Sequence, residues 1–364
     1  MTSSRRRFLQ TAAAASVVGA LPSSPFEEDL SAQVPGAAPA ADGYVLVTSA
    51  NGVEAAKAAR QALIQGYDPL DAAIAGVNVN ELDPNDMSVG YGGVPNEEGV
   101  VQLDACVMDG RTLRAGAVGA LEGCKTPSKV AKLVMERTDR VFLVGAGAQK
   151  FANAHGFPVE DLLTSKTRKI WLYWKERLSD TDDWIEAGKE AEDPDIKEFI
   201  RKNGNEYFRP QGTIHMSVRS AKGDLAGVTT TSGLYFKMPG RVGDSAVVGA
   251  GVYSENGVGS CGSTGRGEAN LVTCGSHTVV EFMRQGKSVE EACLLALKRI
   301  AEKTHKVPRH RDEKGRPKFN VNFYAVDAKG KTAGAAIWSG SKHVVGDNEG
   351  VRTLESAYLY KRGA

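Results

Sequence analysis

The sequence is poor in cysteine, has no excess of charge of either sign and contains no apolar run long enough to span a membrane. Its five cysteines are Cys106, Cys124, Cys261, Cys274 and Cys293. The number is odd and no pair has metal-ligand spacing, so a zinc module is excluded and most should be buried small hydrophobes. Lys and Arg total 45 against 44 Asp and Glu, a formal net charge of +1. No nucleic-acid partner is implied by that balance. Aromatic residues make up only 7% while glycine contributes 41 residues, which suits a tightly packed α/β body. The glycines from Gly259 to Gly267 are not followed by Gly-Lys-Ser/Thr, and no dinucleotide fingerprint opens a βαβ unit. The carboxylates from Asp180 to Asp195 lack EF-hand spacing. Neither a metal nor a cofactor is called for.

What is present begins with an address. Ser4-Arg-Arg-Arg-Phe-Leu-Gln10 followed by Thr11 to Leu21 has the form of a twin-arginine export signal with a short, mildly apolar core. That core is too short for a membrane span. A Pro/Ala linker runs to Ala41. The expected product is a protein folded before export and then periplasmic or secreted, without membrane attachment. Early folding disfavours an obligatory disulfide framework.

The body reads as strand pairs flanked by helix pairs, a layered α/β architecture. Tyr44 to Thr48 is a strand. Asn51 with Glu54 looks like a capping box for a helix to Gln65. Asp68-Pro69 starts a second helix, and Ser88 to Gly93 is a Gly-rich loop. Val100 to Met108 and Leu113 to Val118 form a hairpin. Helices follow from Thr126-Pro127, after Val144, and over Lys169 to Arg177. Ser179 to Arg209 is charged, poor in apolar residues, and reads as a mobile linker. Glu268 to Gln285 is one helix, and Ser288 with Glu291 caps another. His305 to Lys318 is a basic solvated loop. Phe319 to Val326 and Thr332 to Ser339 close a last hairpin, with one further strand at the carboxyl end.

The chemistry concentrates at Gln211-Gly-Thr-Ile-His-Met-Ser-Val218. Ile214, Met216 and Val218 face one way along this strand; Thr213, His215, Ser217 and Arg219 face the other. Ala221-Lys-Gly-Asp224 is a hairpin turn leading to Leu225–Thr231. Folding about Lys222–Gly223 pairs residues whose numbers sum to about 445, which puts Thr213 opposite Thr231 or Ser232. A threonine hydroxyl is a weak nucleophile until a base takes its proton, and a free α-amine on the same residue can be that base. An internal Thr213 gains such an amine only by cleavage of the Gly212–Thr213 bond. Gly212 permits the bend and leaves its own carbonyl open.

Further motifs follow in order: Thr229 to Ser245, Gly-Ala-Gly-Val-Tyr253, and Gly-Ser-Cys-Gly-Ser-Thr-Gly-Arg-Gly-Glu268. With Ser88 to Gly93 and Leu103 to Gly110, they resemble the glycosylasparaginase and plant-type asparaginase family of N-terminal-nucleophile amidohydrolases, from about Tyr44 onward. The resemblance implies a four-layer αββα sandwich, with strands from both cleavage products (residues 42–212 and 213–364) in the same sheets. It implies Thr213 as the nucleophile, Thr231 as its partner in activation and self-cleavage, and Thr264 with Gly265 as the oxyanion hole. Gly265 would draw on the start of the following helix. It implies Arg241 and Asp244 as the holders of the substrate's α-carboxylate and α-amine, for which a guanidinium fork and a carboxylate are suited. A homodimer of cleaved protomers is expected. The sequence departs from the glycosylasparaginase branch at Gly212, where Asp is usual, at Ser49, near the place of a substrate-contacting Trp, and at Ser232, where Asn is usual. The expected substrate is the GlcNAc–Asn linkage; the alternatives are L-asparagine or isoaspartyl peptides, or an uncleaved chain that only binds such a ligand.

Overall fold

The structure is a computed structural model that describes residues 43–178, 192–203, 211–304 and 306–363. The export segment lies outside these residues. Two sheets stack face to face. The first contains β1 (Val45–Ser49), β2 (Leu103–Asp109), β3 (Arg114–Leu121), β4 (Phe142–Val144), β5 (Gln211–Arg219), β6 (Leu225–Leu234), β11 (Lys342–Asp347) and β12 (Gly350–Glu355). Its order is β12-β11-β1-β5-β6-β2-β3-β4. The second contains β7 (Val252–Glu255), β8 (Gly259–Gly265), β9 (Val321–Asp327), β10 (Thr332–Trp338) and β13 (Ala357–Tyr360), in the order β13-β10-β9-β8-β7.

The outer layers are helical. The first sheet is covered by α1 (Val53–Ile64), α2 (Pro69–Leu82), α3 (Pro127–Arg137) and α4 (Gly145–Ala154), which share one apolar core with Ile214, Met216, Val218 and Val228. The second is covered by α8 (Gly275–Arg284) and α9 (Val289–Thr304), packed on Cys261, Phe323, Ala335 and Ile337. The αββα sandwich expected from the sequence is therefore present. Residues on both sides of Thr213 share the first sheet; the second is built only from residues after it.

The expected hairpin forms, and one detail of it matters. Ile214 pairs with Thr230, but Gly212 pairs with Gly233, so the register shifts between them. Thr213 thus sits at a β-bulge with Thr231 and Ser232 across from it. Bulges re-aim a side chain and end regular pairing. Between the sheets the middle of the layer is polar and small. A Cβ on Gly262 would lie 2.0 Å from His215 Nδ1, so only glycine lets β8 approach β5 this closely.

Four expectations are corrected. Asn51 does not cap α1: Gly52 is the N-cap, without a side-chain bond, and Asn51 turns to Ser49 and Thr213 instead. Glu268 to Gln285 is two helices, α7 (Gly267–Leu271) and α8, separated by Cys274 at φ 46°. The charged stretch before the nucleophile contains α6 (Pro194–Asn203), which buries Ile196 and Phe199 near Ile170 of α5 (Ser165–Lys175). Lys166–Glu198 and Lys169–Asp193 ion pairs at 3.0 and 2.9 Å tie the two helices together. The rest of that stretch, 179–191 and 204–209, lies outside the described residues. Finally, the carboxyl end supplies three strands, not one: β11 and β12 extend the first sheet beside β1, and β13 pairs with β10 in the second. Of the cysteines, Cys106, Cys124, Cys261 and Cys293 are buried and Cys274 is exposed.

Candidate active site

Thr213 lies at the end of β5 where the bulge frees it from regular pairing. Its Oγ1 donates to Thr231 Oγ1 at 3.1 Å. Thr231 Oγ1 in turn donates to the Gly212 carbonyl oxygen and accepts the Gly233 N–H at 2.8 Å. One hydroxyl therefore touches both the candidate nucleophile and the carbonyl of the bond in front of it. Polarising that carbonyl favours attack by a neighbouring hydroxyl. Asn51 Nδ2 donates to the Thr213 carbonyl from the other side, at 3.3 Å. Gly212 has a steric reason: a Cβ there would fall 1.6 Å from Ser88 Cβ. Ser88 is anchored by Asp86, its Oγ donating to Oδ1 at 2.5 Å, and its carbonyl accepts both the N–H and the hydroxyl of Ser232, each at 2.9 Å. The Gly-rich loop and the departure at Ser232 thus meet at the Gly212–Thr213 bond.

Thr264 and Gly265 reach the same place from the second sheet. Thr264 Oγ1 pairs with the Tyr324 hydroxyl at 3.0 Å and accepts Asn322 Nδ2 at 3.2 Å. Burial pushes the Tyr324 hydroxyl up to about 12, so it stays protonated. The Arg266 N–H bonds to the Asn320 carbonyl, and the alternation of an antiparallel ladder then leaves the Gly265 N–H turned away from β9. Gly265 has φ 111°, a conformation that favours glycine, and a Cβ would meet the Asn320 carbonyl at 2.4 Å. The helix that follows has only five residues, a weaker dipole than the long helix expected.

A cavity of about 10 Å³, room for one water, is lined by Thr213, Thr231, Gly233, Arg241, Gly243, Asp244, Ser245 and Gly265. All the expected site residues except Thr264 and Gly212 line it, and those two line the adjoining cleft. Arg241 does not pair with Asp244. Its Nε and Nη2 both donate to Glu268 Oε1, at 3.0 and 2.8 Å. Burial would raise the Glu268 carboxyl, but Arg241, a backbone N–H and Arg266 together hold the group below its ordinary range. Nη1 is turned toward Gly233: a Cβ on that residue would lie 3.2 Å from it and 3.0 Å from Lys237 Nζ. Lys237 is buried, donates to the Gln102 carbonyl at 2.9 Å, and has its pKa lowered by burial. Two cationic side chains therefore back this small cavity. Asp244 Oδ2 accepts Ser263 Oγ at 2.6 Å and Asn270 Nδ2 at 2.8 Å. Its pKa is raised by burial, against those donors and Arg241. Gly267 leaves Oδ1 uncovered, since a Cβ there would be 2.7 Å away.

Sequence reasoning did not single out Glu268 as the partner of Arg241, nor Lys237, Tyr324, Asn322 and Asn51. Glu268 stood inside the quoted Gly-rich motif but carried no signal of its partner. Lys237, an isolated charge after Leu-Tyr-Phe, had only its apolar neighbours to mark it as buried. His215, on the same face as Thr213, is fully buried, with Nδ1 2.7 Å from Thr229 Oγ1 and Nε2 2.8 Å from Ser217 Oγ. Burial lowers its pKa to about 3, so it is neutral and acts as a fixed hydrogen-bond partner.

Beyond Thr213 the site opens into a cleft of about 1260 Å³ that Ser49, Asn51, Ser88, Thr264 and Trp338 help to line. Against this geometry, a family model described as asparaginase matches residues 42–308. The chain belongs to that asparaginase family. It is an N-terminal-nucleophile amidohydrolase in fold and class. Among its relatives, the N(4)-(Beta-N-acetylglucosaminyl)-L-asparaginase of Elizabethkingia miricola is 37% identical over 317 residues, 87% of this chain and 85% of that protein. The mouse N(4)-(beta-N-acetylglucosaminyl)-L-asparaginase is 37% identical over 68% of this chain and 74% of its own length. The mouse isoaspartyl peptidase/L-asparaginase is 40% identical over 64% of this chain and 65% of its own.

Proposed function

We propose that this chain cleaves itself before Thr213 and then hydrolyses the side-chain amide of N4-(β-N-acetylglucosaminyl)-L-asparagine to aspartate and the amino sugar. The observation that carries this is the contact of Thr231 Oγ1 with both Thr213 Oγ1 and the Gly212 carbonyl, at the mouth of a cleft far larger than ammonia needs. In self-cleavage, Thr213 Oγ1 attacks the Gly212 carbonyl carbon, and the Thr213 nitrogen leaves as a free amine. Water then hydrolyses the resulting ester and leaves a carboxylate on Gly212. In turnover, the new amine takes the proton of its own hydroxyl, directly or through water. The hydroxyl attacks the asparagine side-chain carbonyl, and Thr264 Oγ1 and the Gly265 N–H stabilise the oxyanion. The glycosylamine departs, and water releases aspartate from the β-aspartyl ester. Arg241, backed by Lys237, takes the substrate α-carboxylate, and Asp244 takes the α-amine.

The proposal also includes export through the twin-arginine segment to the periplasm or outside the cell, and a dimer of cleaved protomers. A denaturing gel followed by sequencing of the new N-terminus tests self-cleavage: two fragments, the second starting at Thr213, are expected. One intact band with tight ligand binding would make the chain a binding protein instead. Rates on GlcNAc–Asn, L-asparagine and β-aspartyl dipeptides test the substrate. A preference for either of the latter would transfer the activity to asparaginase or isoaspartyl peptidase chemistry.

A further inference from the structure

The charged side chains lining the cleft beyond Thr213 are mostly cationic. Lys202, Arg266, Arg309, Arg316, Lys318 and Arg362 all contribute to it, and Asp312 is the one carboxylate among its described lining residues. That carboxylate is taken by Arg316, at 3.0 Å. Lys202 is matched by Glu198 at 2.7 Å, and Arg266 Nε lies 3.3 Å from Glu268 Oε2, whose other oxygen serves Arg241. The side chains of Arg309, Lys318 and Arg362 have no ion pair or hydrogen bond among the described residues, and all three are exposed. The whole chain carries a formal charge of only +1, so this concentration is local rather than a general basicity. Crowding of cations is also felt by His310, whose pKa is lowered first by burial and then by Arg266 and Arg309. Trp338 and Phe319 add apolar surface, with the Arg316 guanidinium 5.0 Å from the centre of the Trp338 ring. A cleft with low-dielectric walls and charge of one sign concentrates the opposite charge within it.

Most of these residues lie past residue 308, where the family match ends. The sequence reads His305 to Lys318 as a basic solvated loop; Arg309 and Lys318 are indeed exposed, and the fold sets them with Arg316 along the cleft wall. We propose that the outer cleft is a subsite for an anionic group on the leaving half of the substrate: a sulfate, phosphate or carboxylate borne by the amino sugar or by a peptide. It rests on the amidohydrolase reading of Thr213, because the aspartyl half is held at Arg241 and Asp244 and the leaving half must extend into this cleft.

The test uses two substrate pairs: GlcNAc–Asn with its 6-O-sulfate, and a β-aspartyl dipeptide with its C-terminal amide. For the anionic member of a pair, kcat/KM is expected to be higher by roughly fivefold or more at low salt, through KM, with the advantage shrinking at about 0.5 M salt. The Arg309→Ala/Lys318→Ala/Arg362→Ala variant should bring the ratio toward one. An advantage confined to the sugar pair assigns the subsite to acidic carbohydrate, and one confined to the peptide pair assigns it to a peptide carboxylate. Equal rates within both pairs, or an advantage that survives the triple variant, overturn the subsite. Failure to hydrolyse any neutral substrate counts against the proposed activity instead. Calorimetric binding of GlcNAc 6-sulfate against GlcNAc then decides the subsite without turnover, and equal affinities overturn it.

Discussion

On one face of β5, Ile214, Met216 and Val218 are fully buried among Leu70, Ala73 and Val77 of α2. On the other, His215 and Ser217 join Thr229, Ser260 and Ser254 in a chain of hydrogen bonds between the sheets, with Ser217–Ser260 at 2.7 Å and Ser254–Ser260 at 2.6 Å. Thr213 opens that polar face. The strand period of two is what separates them: every other residue enters a layer closed by apolar burial, and the rest enter a layer of fixed dipoles. A hydroxyl is useful on the second face because its neighbours are hydroxyls and carbonyls held in place. On the first a hydroxyl needs a dedicated partner, as Thr230, opposite Ile214, has in Glu81 at 2.7 Å.

The largest effect expected from breaking this contrast is at its edge. Thr213→Ala should leave a single uncleaved band and lower kcat/KM by about 10⁴-fold or more, read by gel and by amide hydrolysis. On the apolar face, Met216→Ala should cost about 2–5 kcal/mol of stability in denaturant titration while the chain still cleaves before residue 213. The polar face should show itself through pH. Its buried His215 has a folded pKa of about 3 against an ordinary value of 6.5. Below pH 6.5 the unfolded chain takes up a proton that the folded chain refuses. This residue's contribution therefore falls by about 1.4 kcal/mol per pH unit down to about pH 3 and is constant above 6.5. In His215→Asn that component of acid destabilisation should disappear from melting curves recorded between pH 7 and 5. The smallest effect is Ser217→Ala, which leaves His215 Nε2 without its partner and should cost about 1–2 kcal/mol. If Ser217→Ala instead abolished cleavage, the polar layer would be part of the chemistry rather than its support.

Much of this was legible in the chain. Alternation from Ile214 to Arg219 together with the Gly223 turn was enough to bring Thr213 and Thr231 together, because hairpin geometry is local. The bulge was not legible, since hairpin pairing counted from the turn carries no register shift; nor was the close approach of Gly212 to Ser88, far away in sequence. Helix α6 was missed because Asp193, Asp195, Glu198 and Lys202 hide the two residues, Ile196 and Phe199, that dock it. The counter-ion of Arg241 was missed, and so was the cleft that the exposed basic loop borders. Charge has no periodicity that names its partner.

The sequence alone determined a layered α/β body, the hairpin and the threonine at its edge, because strand alternation, turn glycines and apolar periodicity act between near neighbours; the αββα order came only with the family resemblance. Only the tertiary structure decided which hydroxyl holds the Gly212 carbonyl, that Glu268 engages Arg241, and that Arg309, Lys318 and Arg362 turn a neutral protein's cleft cationic. Those depend on groups distant in sequence meeting in space, where burial and Coulomb forces act on distance and not on chain order.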